Sequence, residues 1–124
     1  MHGQRILVVE DDADIREATI ELLVDHGFDA VGAANGREAL EQLRASTNLP
    51  CLIFLDLLMP VLDGRGFREE QRRRPELAHI PVVVVSARAD SARHAAELDA
   101  AAFIDKPVTA GELVRVARRL CAGG

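Results

Sequence analysis

Side chains that could hold a divalent cation or a phosphate occur at four places in the chain, each where an apolar run stops. Carboxylate oxygens are the ligands that a hard cation such as Mg²⁺ prefers. A hydroxyl and an ammonium group suit the oxygens of a small anion. If the fold brings these places together, the set can bind Mg²⁺ and a phosphoryl group side by side. Its members are Glu10, Asp11, Asp56, Ser86 and Lys106.

Lys106 is the only lysine among the 15 lysine and arginine residues of the chain. A compact ammonium group fits a small anion site that a wide guanidinium group would crowd. We therefore favour an anion-binding role over simple pairing with Asp105. Asp56 has an alternative role as the cap of a following turn or helix. Ser86 alone is weak support, because serine is common at strand ends.

A zinc site is not indicated, because zinc favours histidine and cysteine ligands. No two of the histidines have ligand spacing near the acids, and we interpret all of them as structural or surface residues. They are His2, His26, His79 and His94. Cys51 and Cys121 lack any CxxC or Cys/His spacing, so we expect two free thiols in a reducing cytosol.

The elements that carry the candidate residues follow from hydrophobic periodicity. Unbroken or alternating apolar runs predict strands over Arg5–Val9, Phe28–Ala33, Cys51–Asp56, Pro81–Val85 and Ala101–Ile104. Three- and four-residue spacing, with turn signals between the elements, predicts five helices. They run over Ala13–His26, about Arg37–Ala45, after Gly64 to about Arg74, about Asp90–Leu98 and, after a cap at Thr109, up to about Cys121. Such alternation indicates a doubly wound α/β fold with a parallel sheet. The candidate residues then meet at the carboxyl edge of that sheet, where ligands bind in open α/β folds.

Length and charge limit the possible functions. The 124 residues, taken as one domain over 1–124, can bury a core without metal or disulfide support. A net charge of −5 and a pI near 5.3 argue against direct nucleic-acid binding. The sequence shows no signal peptide and no membrane-spanning run, so we expect a cytoplasmic protein without membrane contact.

Four motifs in this order resemble the receiver domain of two-component response regulators: ILVVEDD, LIFLDLLMPVLDG, VVVVSA and FIDKP. They are jointly specific and cover essentially the whole chain. The resemblance implies a flavodoxin-like (βα)5 fold with strand order 2-1-3-4-5. It also implies a signalling domain whose only catalysis is its own phosphorylation and dephosphorylation. We expect a stand-alone single-domain regulator, although a receiver cut from a hybrid kinase or a longer regulator fits equally well.

Carried over residue by residue, the resemblance makes Asp56 the acceptor of a phosphoryl group from a phosphohistidine. The donor is a histidine kinase or a phosphotransfer protein. Asp11, Asp56 and the backbone carbonyl of Leu58 would bind Mg²⁺ directly, with Glu10 acting through water. Ser86 and Lys106 would hold phosphoryl oxygens.

The resemblance also implies a conformational switch read by a downstream protein partner. Ser86 moves toward the phosphoryl group and Phe103 turns inward behind it, changing the face of the fourth helix, fifth strand and fifth helix. Phe103 has an alternative role as an ordinary core aromatic. Because it lacks a hydroxyl, we expect it to prefer the inward state whether or not Asp56 is phosphorylated. A cis Lys106–Pro107 bond is implied as well. Homodimerisation on phosphorylation stays open.

Other implied features concern the rate of dephosphorylation and the output face. Leu58 and Arg88 would flank the path of the hydrolytic water. The sequence departs from the family pattern in the short interval between Ser86 and Phe103, and in having Asp99 where glycine is frequent and Val108 where phenylalanine is usual. These departures concern the partner and the switching geometry more than phosphorylation.

Three other functions would also place acidic residues after a strand or use a receiver-like fold. A haloacid-dehalogenase-like phosphatase needs a second aspartate two residues after the first, where Leu58 stands. A dinucleotide-binding module needs glycines after the first strand, where Glu10 and its acidic neighbours would repel a pyrophosphate. The serious alternative is a receiver-like adaptor that acts through protein contacts, with vestigial phosphorylation.

Overall fold

The computed structural model describes residues 4–57, 63–86, 91–106 and 108–121. The strands in these ranges are β1 (Arg5–Val9), β2 (Asp29–Ala33), β3 (Leu52–Asp56), β4 (Val82–Ser86) and β5 (Ala102–Asp105). The helices are α1 (Ala13–Asp25), α2 (Gly36–Ala45), α3 (Gly64–Arg72), α4 (Pro75–Ala78), α5 (Ser91–Glu97) and α6 (Ala110–Cys121).

The short helix α4 corrects the predicted alternation, which ended the third helix at Pro75 and placed nothing before the next strand. Pro75 occupies the first turn of α4. Proline is tolerated there because the first N–H groups of a helix have no partner inside it. The same residue therefore ends one helix and begins the next, which the sequence prediction did not consider.

The strands form one parallel sheet in the order β2-β1-β3-β4-β5. This confirms the predicted doubly wound architecture and its flavodoxin-like strand order. Every residue of β3 is buried, as an unbroken apolar run in a central parallel strand predicts. Because all strands point the same way, their carboxyl ends meet at one edge of the sheet.

Alternation along the strands separates two main core layers. Ile6, Phe54 and Val83 face the side on which α1 and α6 pack, whereas Leu7 and Ile53 face α2 and α3. A smaller cluster under α5 contains Leu57, Val84, Ala95 and Leu98. The sheet is thus covered by helices on both sides.

A disulfide joins Cys51, directly before β3, to Cys121, the last residue of α6. The prediction of two free thiols was wrong. It searched for short cysteine spacings, whereas the two cysteines lie 70 residues apart in sequence and meet only through the tertiary fold, with 5.5 Å between their Cα atoms. Within the described ranges, the helices are too short or too polar to cross a lipid bilayer.

Candidate functional site

Backbone hydrogen bonds fix the strand ends that carry the predicted residues. The N–H of Glu10 donates to the carbonyl of Ala33 at 3.0 Å, and the N–H of Lys106 donates to the carbonyl of Ser86 at 3.0 Å. These bonds extend the ladder of the sheet by one residue beyond each strand. The side chains that follow β1 and β5 therefore leave the sheet at the same edge as Asp56.

Three carboxylates meet at this edge: Glu10, Asp11 and Asp56. They offer one oxygen each within 4.8 Å of one another. Glu10 and Asp56 are only 5% and 6% exposed, whereas Asp11 is exposed. The convergence predicted from strand ends is thus present. Hard oxygen ligands with one side open to solvent fit a cation such as Mg²⁺, which keeps several waters when it binds proteins.

Lys106 lies against the same carboxylates. Its Nζ donates to Glu10 Oε1 at 2.9 Å and to Asp56 Oδ2 at 3.3 Å. Burial on its own lowers the pKa of Lys106, but the hydrogen bond to Glu10 and the negative charges of Asp56 and Glu10 outweigh it and raise the pKa above its ordinary value. The ammonium group therefore stays protonated at neutral pH, at the centre of the acidic cluster.

Ser86 ends β4 and is fully buried. It pairs in register with Asp105, the residue before Lys106, while its neighbour Val85 pairs with Asp56. Ser86 thus sits at the same edge, between the strand of the carboxylate and the strand that precedes the lysine. Leu58, Arg88 and Pro107 lie outside the described residues, so the metal-binding carbonyl, the water-path positions and the cis bond stay predictions.

Phe103 does not occupy the position expected of it. It lies in β5 with 42% of its surface exposed, so it is neither a core aromatic nor turned inward. It pairs in register with Val84, which faces the small cluster under α5. Phe103 is thus exposed on the edge strand of the sheet, although its register partner Val84 is buried.

Asp12 has a structural role next to the cluster. Its side chain caps α1 by accepting the N–H groups of Asp14 and Ile15 at 3.0 and 3.1 Å. Its own N–H donates to Glu10 Oε2 at 3.2 Å. Glu10 is therefore held by two donors, one on each carboxylate oxygen, with Lys106 as the other. The position of Asp12 directly after the acidic pair was visible in sequence, but its capping role was not predicted.

Two further residues that position the site were missed. Arg16 reaches back from α1 and donates from Nη1 to the carbonyl of Glu10 at 2.8 Å. Gly64 begins α3 so close to β3 that a Cβ there would lie 2.9 Å from Leu57 Cα and 3.2 Å from the Asp56 carbonyl oxygen. The Asp63-Gly64 pair was read only as a turn before a helix, and nothing in its spacing reveals this close approach.

Asp99 adopts a left-handed backbone conformation with φ of 55°. This explains why its position resembles one where glycine is frequent, because glycine adopts positive φ without steric cost. The carbonyl of Asp99 accepts a hydrogen bond from Arg68 Nη2 at 3.0 Å, and the carbonyl of Leu98 accepts one from Arg68 Nε at 2.8 Å. A buried arginine of α3 therefore holds the turn that leads into β5.

An apolar groove of about 800 Å³ opens beside the charged cluster. It lies between α1 and the start of α6, with Glu10, Asp56 and Lys106 at its polar end. Ile15 in its wall is 43% exposed. The groove gives the carboxylates an open side toward solvent.

Comparison with known proteins agrees with this fold. Residues 6–118 match the family described as "Response regulator receiver domain". The chain is 36% identical over 115 residues to "Probable transcriptional regulator ycf27" of Porphyridium aerugineum, covering 91% of the chain and 46% of that protein. It is 37% identical over 114 residues to "Phosphate regulon transcriptional regulatory protein PhoB" of Escherichia coli (strain K12), covering 90% and 49%. The chain thus spans about half the length of these curated relatives.

Solved structures resemble it along nearly their whole length. A response regulator receiver protein from Pseudomonas putida superposes with a TM-score of 0.87 at 32% identity, covering 96% of the chain and 98% of that structure. The signal receiver domain of a signal transduction histidine kinase from Syntrophus aciditrophicus also gives 0.87 at 32% identity, with coverages of 97% and 91%. The same fold therefore occurs both in regulators and in kinases.

Proposed function

The chain belongs to the response regulator receiver domain family, and we propose that it receives its phosphoryl group on Asp56. The single observation that carries this assignment is the placement of Asp56. It is a buried carboxylate at the end of the central strand, within the acidic cluster and 3.3 Å from the only lysine.

In the proposed reaction, an oxygen of Asp56 attacks the phosphorus of a phosphohistidine on a histidine kinase or phosphotransfer protein. The new O–P bond forms as the N–P bond breaks, and the imidazole leaves with the electron pair of the broken bond. Phosphoryl transfer asks a protein mainly for positioning and for neutralisation of charge. β3 provides the positioning, because its rigid burial fixes the direction of the Asp56 carboxylate.

Mg²⁺ is the proposed cofactor. Asp11 and Asp56 would bind it directly, together with the Leu58 carbonyl, and Glu10 would act through water. The oxygen-only donor set supports this choice of metal. When bound, the cation supplies positive charge that neutralises both the carboxylates and the phosphoryl oxygens.

Lys106 would neutralise negative charge at this site both before and after phosphoryl transfer. Before transfer it bridges Glu10 and Asp56, and after transfer its ammonium group can hold a phosphoryl oxygen while keeping the contact with Glu10. Ser86 at the neighbouring strand end would donate its hydroxyl to another oxygen. These roles explain why a compact cation stands here in a chain otherwise built with arginine.

Phosphorylation would be read on the face formed by α5, β5 and α6, which corresponds to the fourth helix, fifth strand and fifth helix of the sequence prediction. Phe103 is exposed on this face, an arrangement that suits the unphosphorylated state. Movement of Ser86 toward the phosphoryl group would turn Phe103 inward. The net charge of −5 supports a protein as the direct partner of this chain.

The test is intact mass after incubation with Mg²⁺ and a small acyl phosphate donor. We expect one added phosphoryl group on the parent chain, none on Asp56→Asn and none with excess chelator. Asp105→Asn is the matched control, because it removes an exposed carboxylate at the same edge outside the cluster, and it should still be labelled.

The adaptor alternative predicts a different result. No added mass with the small donor or with a competent histidine kinase, combined with no detectable Mg²⁺ binding, would favour an adaptor that acts through protein contacts alone.

A further inference from the structure

The disulfide lies at the opposite end of the sheet from the carboxylates. Cys51 directly precedes β3, whose last residue is Asp56, and Cys121 is the last residue of α6, which begins four residues after Lys106. One covalent bond therefore joins the far ends of the two segments whose near ends carry Asp56 and Lys106. These are the only two cysteines of the chain.

The two cysteine residues differ in exposure. Cys121 is 3% exposed and packs in the core layer under α6, whereas Cys51 is only partly buried. A thiolate from solvent therefore reaches Cys51 first. Attack there makes Cys121 the leaving group.

The surroundings also suit the reduced state. The carbonyl oxygen of Arg5 lies 3.3 Å from Cys51 Sγ, so a Cys51 thiol would have an acceptor in place. Cys121 lies among apolar side chains, where a free thiol behaves as a small hydrophobic group. Both thiols of the reduced form therefore have surroundings that can accommodate them.

Noncovalent contacts also hold α6 near this end. Val116 and Ala117 pack in the core layer, and the side chain of Gln4 donates to the carbonyl of Cys121. At its other end α6 borders the apolar groove, whose wall includes Ala110 and Leu113. The disulfide is therefore a covalent restraint on the C-terminal end of α6, in addition to this packing.

We propose that Cys51 and Cys121 form a reversible thiol–disulfide site that controls how firmly α6 is held against the sheet. The site does not depend on phosphorylation of Asp56. If the proposed output face is correct, the redox state would also tune that face, because α6 is part of it.

The chemistry uses a dithiol as reductant. One thiolate of the dithiol bonds to Cys51 Sγ, the disulfide breaks, and Cys121 leaves as a thiolate and takes a proton. The second thiolate of the dithiol then attacks the mixed disulfide, forms a disulfide within the reductant and releases Cys51, which takes the second proton. Two electrons pass from the dithiol to the protein. A small-molecule disulfide such as oxidised glutathione reverses the exchange.

The experiment is amide hydrogen exchange, read by mass spectrometry, on the parent chain in oxidised-glutathione buffer and in dithiothreitol. Thiol alkylation in each buffer reports how many cysteines are free. We expect no alkylation in the oxidised sample and two labels in the reduced one. Amides in the C-terminal half of α6 should exchange at least about tenfold faster after reduction, while those of β1 change little. The melting temperature should fall by roughly 10 °C.

Two controls make the result specific. Cys51→Ala and Cys121→Ala should each show the fast exchange of α6 in both buffers, with no response to dithiothreitol. The proposal is overturned if reduction leaves exchange in α6 unchanged. It is also overturned if the reduced parent chain fails to re-form the disulfide in oxidised glutathione. The parent chain alone decides both points if a variant does not fold.

Discussion

Neutralising Asp56 should make the metal-free protein more stable, although Asp56 is the proposed functional residue. Its carboxylate lies within 4.8 Å of oxygens from Glu10 and Asp11 and 3.3 Å from the Lys106 ammonium group. With an effective dielectric constant of about 20, each of these two repulsions costs about 3.5 kcal/mol and the attraction to Lys106 returns about 5 kcal/mol. Among these three neighbours, the two repulsions together exceed the attraction to Lys106.

Solvent reduces both effects, because Asp11 is exposed and the Lys106 side chain is 21% exposed. The amide oxygen of an asparagine can still accept the hydrogen bond from Lys106. We therefore expect Asp56→Asn to raise the free energy of unfolding by about 1 kcal/mol in the presence of chelator, or the melting temperature by about 4 °C.

With Mg²⁺ bound, the parent chain should be more stable than Asp56→Asn. A cation that binds only the native state stabilises it in proportion to its affinity, and Asp56→Asn lacks one of the charged ligands. The assay is urea denaturation with chelator and with saturating Mg²⁺, using Asp105→Asn as the control for loss of one surface charge. The reasoning is refuted if Asp56→Asn is less stable than the parent in chelator, or if Mg²⁺ stabilises both chains equally.

Three other predictions follow from the site and its supports. Gly64→Ala should lower the free energy of unfolding, measured by urea denaturation, by about 1–3 kcal/mol, because its Cβ would lie 2.9 Å from Leu57 Cα. The control Gly111→Ala, with nothing within 4 Å of the new Cβ, should be neutral or slightly stabilising. Equal effects of the two substitutions would contradict the packing argument. Arg68→Met should lower the free energy of unfolding by about 2 kcal/mol by leaving the carbonyls of Leu98 and Asp99 without their donor; a thermal melt identical to that of the parent would disprove this role. Because the pKa of Lys106 is raised above 10.5, its stabilising contribution is fully present below that pH and is lost as pH rises through the folded-state pKa. The difference in free energy of unfolding between the parent and Lys106→Met, measured in chelator, should therefore shrink in strong alkali. A difference that stays constant there would contradict this role of the Lys106 charge.

The strands were predicted to within one or two residues, because each is a compact apolar run bounded by polar or turn-forming residues. The predicted strands also indicated that the acids and Lys106 meet at one edge of the sheet, since parallel strands place their carboxyl ends together. Their chemical roles stay predictions. Features that depend on tertiary proximity were beyond sequence reasoning, and the pairing of Cys51 with Cys121 is the clearest case.

Two other failures have local physical causes. Phe103 was expected to be a core aromatic or to be turned inward, but it lies on the edge strand β5 and is 42% exposed, although its register partner Val84 is buried. Pro75 was interpreted only as a helix terminator, although proline also suits the first turn of a helix. Arg68 carried no sequence signal at all, because a buried arginine looks the same in sequence as the solvated ones around it.

The most direct test of the central claim is to locate the phosphoryl group chemically. The phosphorylated chain is treated with borohydride, which reduces an acyl phosphate to an alcohol, and its peptides are then sequenced by mass spectrometry. The account predicts that Asp56 alone is converted to homoserine, in the peptide that contains β3. Conversion at Glu10 or Asp11, or a stable phosphate ester on Ser86, would contradict it.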